Sequence, residues 1–467
     1  MQRREFLKTS TCASLGALLR HSGALGAAAK RPNVLVIMTD QQFADAMSCC
    51  IGRTHLHTPN MDSLAAEGVR FTRAYSANPL CVPLRTSLFT GRYPHETGIQ
   101  TNEMKKLDPE QFVCMGRIFK AAGYETGFFG KWHMPFPVAR TEEHGFDTVV
   151  GSPGHYDGAP AAKFLLRDHR RPFLAVVSFM NPHDICEWSR GQELRGGGIG
   201  EAPAPAQCPP LKPNMDIPKD ETDTILHLRR GYQAHRLFPV GHFTDDKWRQ
   251  YLWAYYRLTE KVDQNVGTVL DALRQSGREK DTVVLFLSDH GECHGTHRWN
   301  QKTVFYDESS RVPFILCHKG VTRAGVCDTL LNTGVDVLPT LCEFAGIDVP
   351  AGLPGRSLYA QALGRTGEDR PYIVISNRMI QCEPVDGVLW QPDGRMVRSR
   401  RYKYCLYSLG QRRESLVDME TDPGEMTNLA AKPDCRAILL QHRGYLRDFA
   451  RRHDDRVALS MLEGLDT

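Results

Sequence analysis

The chain has 467 residues, of which 41% are hydrophobic and 24% charged, and its 40 Gly and 28 Pro are scattered without a period. This excludes a collagen-like chain, a chain disordered in bulk and a polytopic membrane protein, and leaves ample length for a core. The net charge is only +4, and much of it comes from Arg3, Arg4, Lys8 and Arg20 against Glu5, so no nucleic-acid-binding face is expected.

Residues 1–29 read as an address rather than a fold element. Paired Arg3-Arg4 followed by Phe6-Leu7-Lys8 resembles a bacterial twin-arginine export signal. The apolar stretch from Cys12 to Leu19 is too short to span a bilayer, and Ala24 to Ala29 offers small-residue cleavage sites. Cys12 lacks a lipoprotein context, so no stable membrane anchor is expected. The expected destination is the periplasm or the medium. The 14 Cys show no short-range disulfide framework, and Cys49-Cys50 are too close for an ordinary bridge.

Three apolar, β-branched runs, 33–38, 173–179 and 282–287, predict strands buried on both faces of a mainly parallel sheet. Helical spacing predicts helices over 59–67, 116–122, 246–275 and 335–345. The expected fold class is therefore α/β, a large mainly parallel or mixed sheet sandwiched by helices. Residues 189–222 are rich in Gly and Pro and predict a long irregular excursion. After about residue 368 the runs shorten, at 372–376, 394–397, 402–407 and 415–417, and a helix follows at 436–451. That pattern predicts a small C-terminal α+β subdomain with a short antiparallel sheet. The expected organisation is a signal peptide over 1–29, a catalytic domain over 30–368 and the subdomain over 369–467.

Strand 33–38 runs into Thr39-Asp40, and strand 282–287 into Ser288-Asp289-His290. In a parallel sheet the carboxyl ends of the strands share one edge, where ligands bind. Asp40, Asp289 and His290 therefore converge, and their charges call for a cation between them. Gln41 adds an amide oxygen. Oxygen-rich ligation favours Ca²⁺, with Mg²⁺ and Mn²⁺ as alternatives because His290 brings nitrogen. Two other readings compete. An Asp after a strand also caps helices, and the His- and Cys-bearing run 289–297 allows zinc, although its spacing fits neither paired CxxC nor HExxH. The stretch 78–92 is the most specific. Pro83 opens a helix, which places Cys81 at a positive end that suits an anion and lowers a thiol pKa. Cys81 is thus a candidate nucleophile, with Arg85 one turn on.

The run Cys81-Val82-Pro83-Leu84-Arg85, followed by Thr90-Gly91-Arg92, resembles the signature of the type I, formylglycine-dependent sulfatase family of the alkaline phosphatase superfamily. Leu84 stands where that family usually has Ser. Further stretches match in order: 33–42, with Gln41 in place of a common Asp; Gly130-Lys131-Trp132-His133; Asn181-Pro182-His183-Asp184; Ser288 to Glu292; Lys302; and the later landmarks 336–347, 355–358 and 418–429. The resemblance implies that a formylglycine-generating maturation enzyme oxidises Cys81. It implies one divalent metal held by Asp40, Gln41, Asp289, His290 and residue 81. Lys131 and Lys302 would bind sulfate oxygens, and Arg85 would orient residue 81. His133 would act as base, and His183 with Lys302 would protonate the departing alcohol. The implied reaction is hydrolysis of a sulfate ester, with a sulfated small molecule or saccharide as substrate. Asp-Gln also occurs in relatives acting on choline sulfate or phosphonate esters, so phosphonate or phosphate diester hydrolysis is one alternative. An unmodified, glycan-binding homologue is another.

Overall fold

The computed structural model describes residues 31–152 and 155–465, so the expected signal peptide lies outside the described residues. The three apolar runs form β1 (Asn33–Asp40), β5 (Phe173–Pro182) and β6 (Thr282–Ser288). They are joined by β2 (Val69–Tyr75), β3 (Glu125–Gly130), β4 (Thr148–Val150), β7 (Phe314–Cys317) and β8 (Gly325–Asn332). The eight strands lie in the order β4-β3-β5-β1-β6-β7-β2-β8. β1 runs parallel to both neighbours, with Val36 opposite Val176 and Leu285. β7 runs antiparallel to β6 and β2, which makes the sheet mixed.

β1 has no polar face because helices cover both sides. Val34, Val36 and Met38 pack towards the helices Cys81–Thr90, Met115–Ala121 and Thr333–Phe344. Leu35 and Ile37 face Pro59–Glu67, Ala159–Leu166 and Asp245–Gln275 on the other side. Each such buried side chain contributes about 1.5–3 kcal/mol of transfer free energy. The long helix starts where its sequence says it should. Thr244 caps it by accepting from Lys247 N at 3.3 Å, and Asp245 and Asp246 occupy the positive first turn. Residues 189–222 are largely irregular, as expected, but a helix the periodicity did not suggest follows at Asp223–Ala234, capped by Thr222.

The C-terminal strands are β9 (Tyr372–Arg378), β10 (Asp393–Ser399), β11 (Tyr402–Tyr407) and β12 (Glu414–Asp418). They pair antiparallel in the order β12-β11-β10-β9. The helices Arg436–Arg452 and Arg456–Leu462 cover one face of this sheet. A buried, two-pronged Arg395–Asp455 pair, at 2.6 and 2.8 Å, ties the second helix down. The other face rests on Trp299, Phe305 and Tyr306. Buried Lys403 reinforces that seam, reaching Asp307 and Glu425 at 2.6 Å each and the Phe305 carbonyl at 3.0 Å. From Pro32 onward the chain forms one compact unit. We propose residue 369 as the start of a C-terminal subdomain within that unit.

Candidate active site

The carboxyl edge of the main sheet gathers the expected residues. β1 ends on Asp40, β6 leads into Asp289-His290, β3 into Lys131 and β5 into His183. One ligand atom each from Asp40, Cys81, Asp289 and His290 lie within 4.8 Å of one another, and all four residues are buried. Cys81 is the first residue of its helix, and its Sγ lies 3.2 Å from His290 Nε2 and 4.0 Å from Asp40 Oδ1. His290 Nδ1 sits 3.0 Å from the Gly291 carbonyl, which can only accept. Nδ1 therefore carries a proton, and Nε2 is the ring nitrogen that faces the cluster. Gly291 is needed for this turn to close, since a Cβ there would meet the Glu308 carbonyl oxygen at 1.9 Å.

Three cations surround the cluster. Arg85 is fully buried and spends its guanidinium on Asp289 Oδ2 (3.1 Å), Asp40 Oδ2 (2.9 Å), Ser178 Oγ (2.8 Å) and the Lys131 carbonyl (2.9 Å). Lys131 Nζ lies 2.6 Å from Asp40 Oδ2 and 3.8 Å from Cys81 Sγ. Lys302 Nζ lies 3.3 Å from Cys81 Sγ and 2.8 Å from Gln41 Oε1. The electrostatics follow from this crowding. Burial works to raise the Asp40 pKa, but Lys131, His183, Arg85 and Lys302 together hold it well below the usual range. Burial and the charge on Asp40 push Asp289 up. Burial and Asp40 oppose ionisation of Cys81, yet Lys131, Lys302 and His290 bring its thiol well below the ordinary value. Burial works against the charge on Lys302, but Cys81 and Asp40 keep it protonated.

The donor set fits a divalent cation. Two inward-facing carboxylates and an imidazole nitrogen converge, and burial together with the charge on Asp40 makes Asp289 resist ionisation. Gln41 reaches the same place through a left-handed backbone, φ 69°. Its amide nitrogen donates to Glu292 Oε2 at 2.5 Å, so its oxygen faces Lys302. Glu292 was not singled out from sequence. It is fully buried and also accepts from Tyr251 Oη, His294 N and Gln301 N, at 2.9, 3.0 and 2.6 Å. Replacing Asp289 by Ala is expected to weaken metal binding by at least about 100-fold, the upper end of what outer-shell partners alone contribute. Metal content at the wild-type level by elemental analysis would refute the assignment.

The two candidate histidines stand differently. His183 borders the cluster closely enough that Lys302, Lys131 and Asp40 all act on its imidazole. Burial, then Lys302 and Lys131, hold its imidazole well below the usual range. Its Nδ1 faces Glu187 Oε2 at 4.0 Å. His133 follows Lys131 with φ 46°, and its Nδ1 is buried without a hydrogen-bond partner among the described residues. The zinc reading finds no support among the described residues. His294 lies tilted against Phe43 (4.3 Å between ring centres), His297 stacks on Tyr306 (3.9 Å), Arg298 pairs with Asp245 at 2.6 Å, and Trp299 is in the core. These side chains pack a loop, and neither histidine belongs to a cluster able to hold a metal. The cysteines of the described residues carry free thiols.

Comparison with known proteins places this geometry. Residues 32–347 match the family described as Sulfatase, and residues 295–451 match N-sulphoglucosamine sulphohydrolase, C-terminal. The chain is 32% identical over 453 residues to the Delta 4,5-hexuronate-2-O-sulfatase of Bacteroides thetaiotaomicron, covering 93% of this chain and 92% of that protein. The solved structure of a 2-O GAG sulfatase superposes with a TM-score of 0.79 at 30% identity, covering 91% of this chain and 93% of that one. A phosphonate monoester hydrolase from Silicibacter pomeroyi shares the fold, with a TM-score of 0.75 at 22% identity over 91% of this chain and 96% of that one. The fold is that of the alkaline phosphatase superfamily. Within it, this chain belongs to the sulfatase family and is a sulfuric ester hydrolase.

Proposed function

We propose that the chain hydrolyses a sulfate ester on a sulfated saccharide, using a formylglycine made from Cys81 and one divalent metal, most simply Ca²⁺. The observation that carries this reading is the position of Cys81 Sγ, which lies within 4.0 Å of Lys131, Lys302, His290 and Asp40 at once. An anionic ester brought there meets positive charge, and the Cys81 sulfur marks the place from which a nucleophile attacks. Asp40, Gln41, Asp289 and His290, with residue 81, would hold the metal, which as a Lewis acid would withdraw charge from the sulfate oxygens. Oxidised and hydrated, residue 81 offers one hydroxyl to attack sulfur and a second whose deprotonation expels sulfate and restores the aldehyde.

The remaining work falls to side chains of this chain. Lys131 and Lys302 neutralise sulfate oxygens, and Arg85 holds both carboxylates in place. His133 accepts the proton of the second hydroxyl. Burial, and after it Lys302 and Lys131, favour the neutral form of His183. An anionic ester bound between them offsets those cations, which lets His183 carry the proton that the leaving oxygen needs. The arginine-led N-terminus supports export, after maturation, to the periplasm or beyond. No described helix is long and apolar enough to cross a membrane.

Two measurements test this reading. Mass spectrometry of the peptide holding Cys81 is expected to show a loss of about 18 Da against the unmodified thiol. A thiol throughout an active preparation would overturn the formylglycine. The phosphonate alternative draws on Gln41 and on the shared fold. Aryl sulfates are expected to be cleaved with the higher kcat/KM, and a clear preference for aryl phosphonate esters would reverse the two readings.

A further inference from the structure

A cavity of about 210 Å³, lined by Gln100, Thr101, Glu103, Lys105, Arg378 and Gln391 among others, has no part in the chemistry described above. Both of its walls are tied to that chemistry through the backbone. On one side Asn102, between Thr101 and Glu103, accepts the Val82 amide at 3.1 Å, and Val82 follows Cys81. On the other side Asn377, next to Arg378, donates to the Thr303 carbonyl, and Thr303 follows Lys302. Two hydrogen bonds thus tie segments lining the cavity to the residues that follow Cys81 and Lys302. Its charged lining is two cations, Lys105 and Arg378, against the single carboxylate of Glu103. Both cations are exposed, and neither forms an ion pair among the described residues. The side-chain oxygen of Gln100 is buried with no hydrogen-bond partner there, an acceptor suited to a sugar hydroxyl.

We propose that this cavity is a subsite for a second anionic group carried by the sulfated saccharide. Lys105 and Arg378 engage the anion, and Gln100 accepts from a neighbouring ring hydroxyl. The inference rests on the sulfatase reading and narrows it from sulfated sugars at large to acidic ones. A carboxylate on a uronate ring and a second sulfate present the same chemistry to a lysine and an arginine.

The test uses the matured, metal-loaded full chain and compares kcat/KM on four monosulfated or disulfated disaccharides. These are one with a free uronate, its methyl ester, a neutral hexose analogue sulfated at the same position, and that analogue with a second sulfate. The wild type is expected to prefer a doubly anionic substrate over its neutral counterpart at least tenfold. The uronate arm and the disulfate arm report which anion it is, and either preference supports the subsite. Arg378→Gln and Lys105→Gln are each expected to cut that preference at least fivefold, mainly through KM. Arg378→Lys is expected to keep most of it, which separates charge from packing. Equal kcat/KM on all four substrates, or variants that keep the wild-type ratio, would overturn the subsite while the sulfatase reading stands. No turnover of any sulfate ester, with phosphonate esters cleaved, would sink that reading and the subsite with it.

Discussion

Cys81→Ala is expected to lower sulfate-ester turnover by about a millionfold, the scale on which other enzymes lose rate when a covalent nucleophile is removed. Thermal stability should change little, because only one sulfur leaves a site whose other groups still bond to one another. Arg85 keeps its contacts to Asp40, Asp289 and Ser178, and Lys131 keeps Asp40. Cys81→Ser gives a sharper version of the same test. A serine hydroxyl can attack sulfur, but it has no second hydroxyl with which to expel the sulfate. That variant is expected to release one equivalent of alcohol per site and then stall. Steady turnover in either variant would remove residue 81 from the mechanism.

Arg85→Met is expected to cost about 3–5 kcal/mol of stability in the metal-free protein, the usual penalty for removing one partner of a buried charge pair. Its guanidinium and both carboxylates that it bridges are wholly buried, with Asp40 at 2.9 Å and Asp289 at 3.0 Å. Without it, two like charges face each other with Lys131 as the nearest relief for Asp40 alone. Metal added back should recover part of the loss, because a divalent ion supplies the missing positive charge. Arg85→Lys is not expected to rescue the protein, since an ammonium cannot reach Asp289, Asp40, Ser178 and the Lys131 carbonyl together. Denaturant unfolding of the metal-free and metal-loaded forms checks both statements, and an unchanged midpoint in the metal-free variant would refute the first.

The parts of the fold that were legible in the sequence are those whose burial leaves no choice of composition. β1, β5 and β6 lie between helices on both faces, so they read as unbroken apolar runs. β2 and β8 did not, because β8 is the edge strand and β2 beside it is only partly buried at Arg70, Thr72 and Arg73. β8 in particular begins with exposed Gly325 and Val326 and is buried only from Leu330 onward. β3 (Glu125–Gly130) is short and contains two glycines, which carry little strand signal. Asp40, Asp289, His290 and Cys81 were legible because strand ends and a helix start fix where such side chains arrive. Glu292 carried no such mark. Its importance lies in Gln41, Tyr251 and the backbone of Gln301, partners scattered along the chain that only the folded geometry brings to it. His297 and Arg298 illustrate the converse. They follow the Asp289-His290 segment in sequence, but a left-handed backbone at both turns the loop into its own packing.

Lys302 owes its position to a segment that the second sheet holds at two points, through Asn377 on Thr303 and Lys403 on Phe305. The tail is thus a buttress for the catalytic floor rather than a module that could be grafted onto a relative. A chain ending before β9 would fold its central strands and still be without a working lysine, and a protease nick between residues 370 and 403 should silence the enzyme well before it unravels.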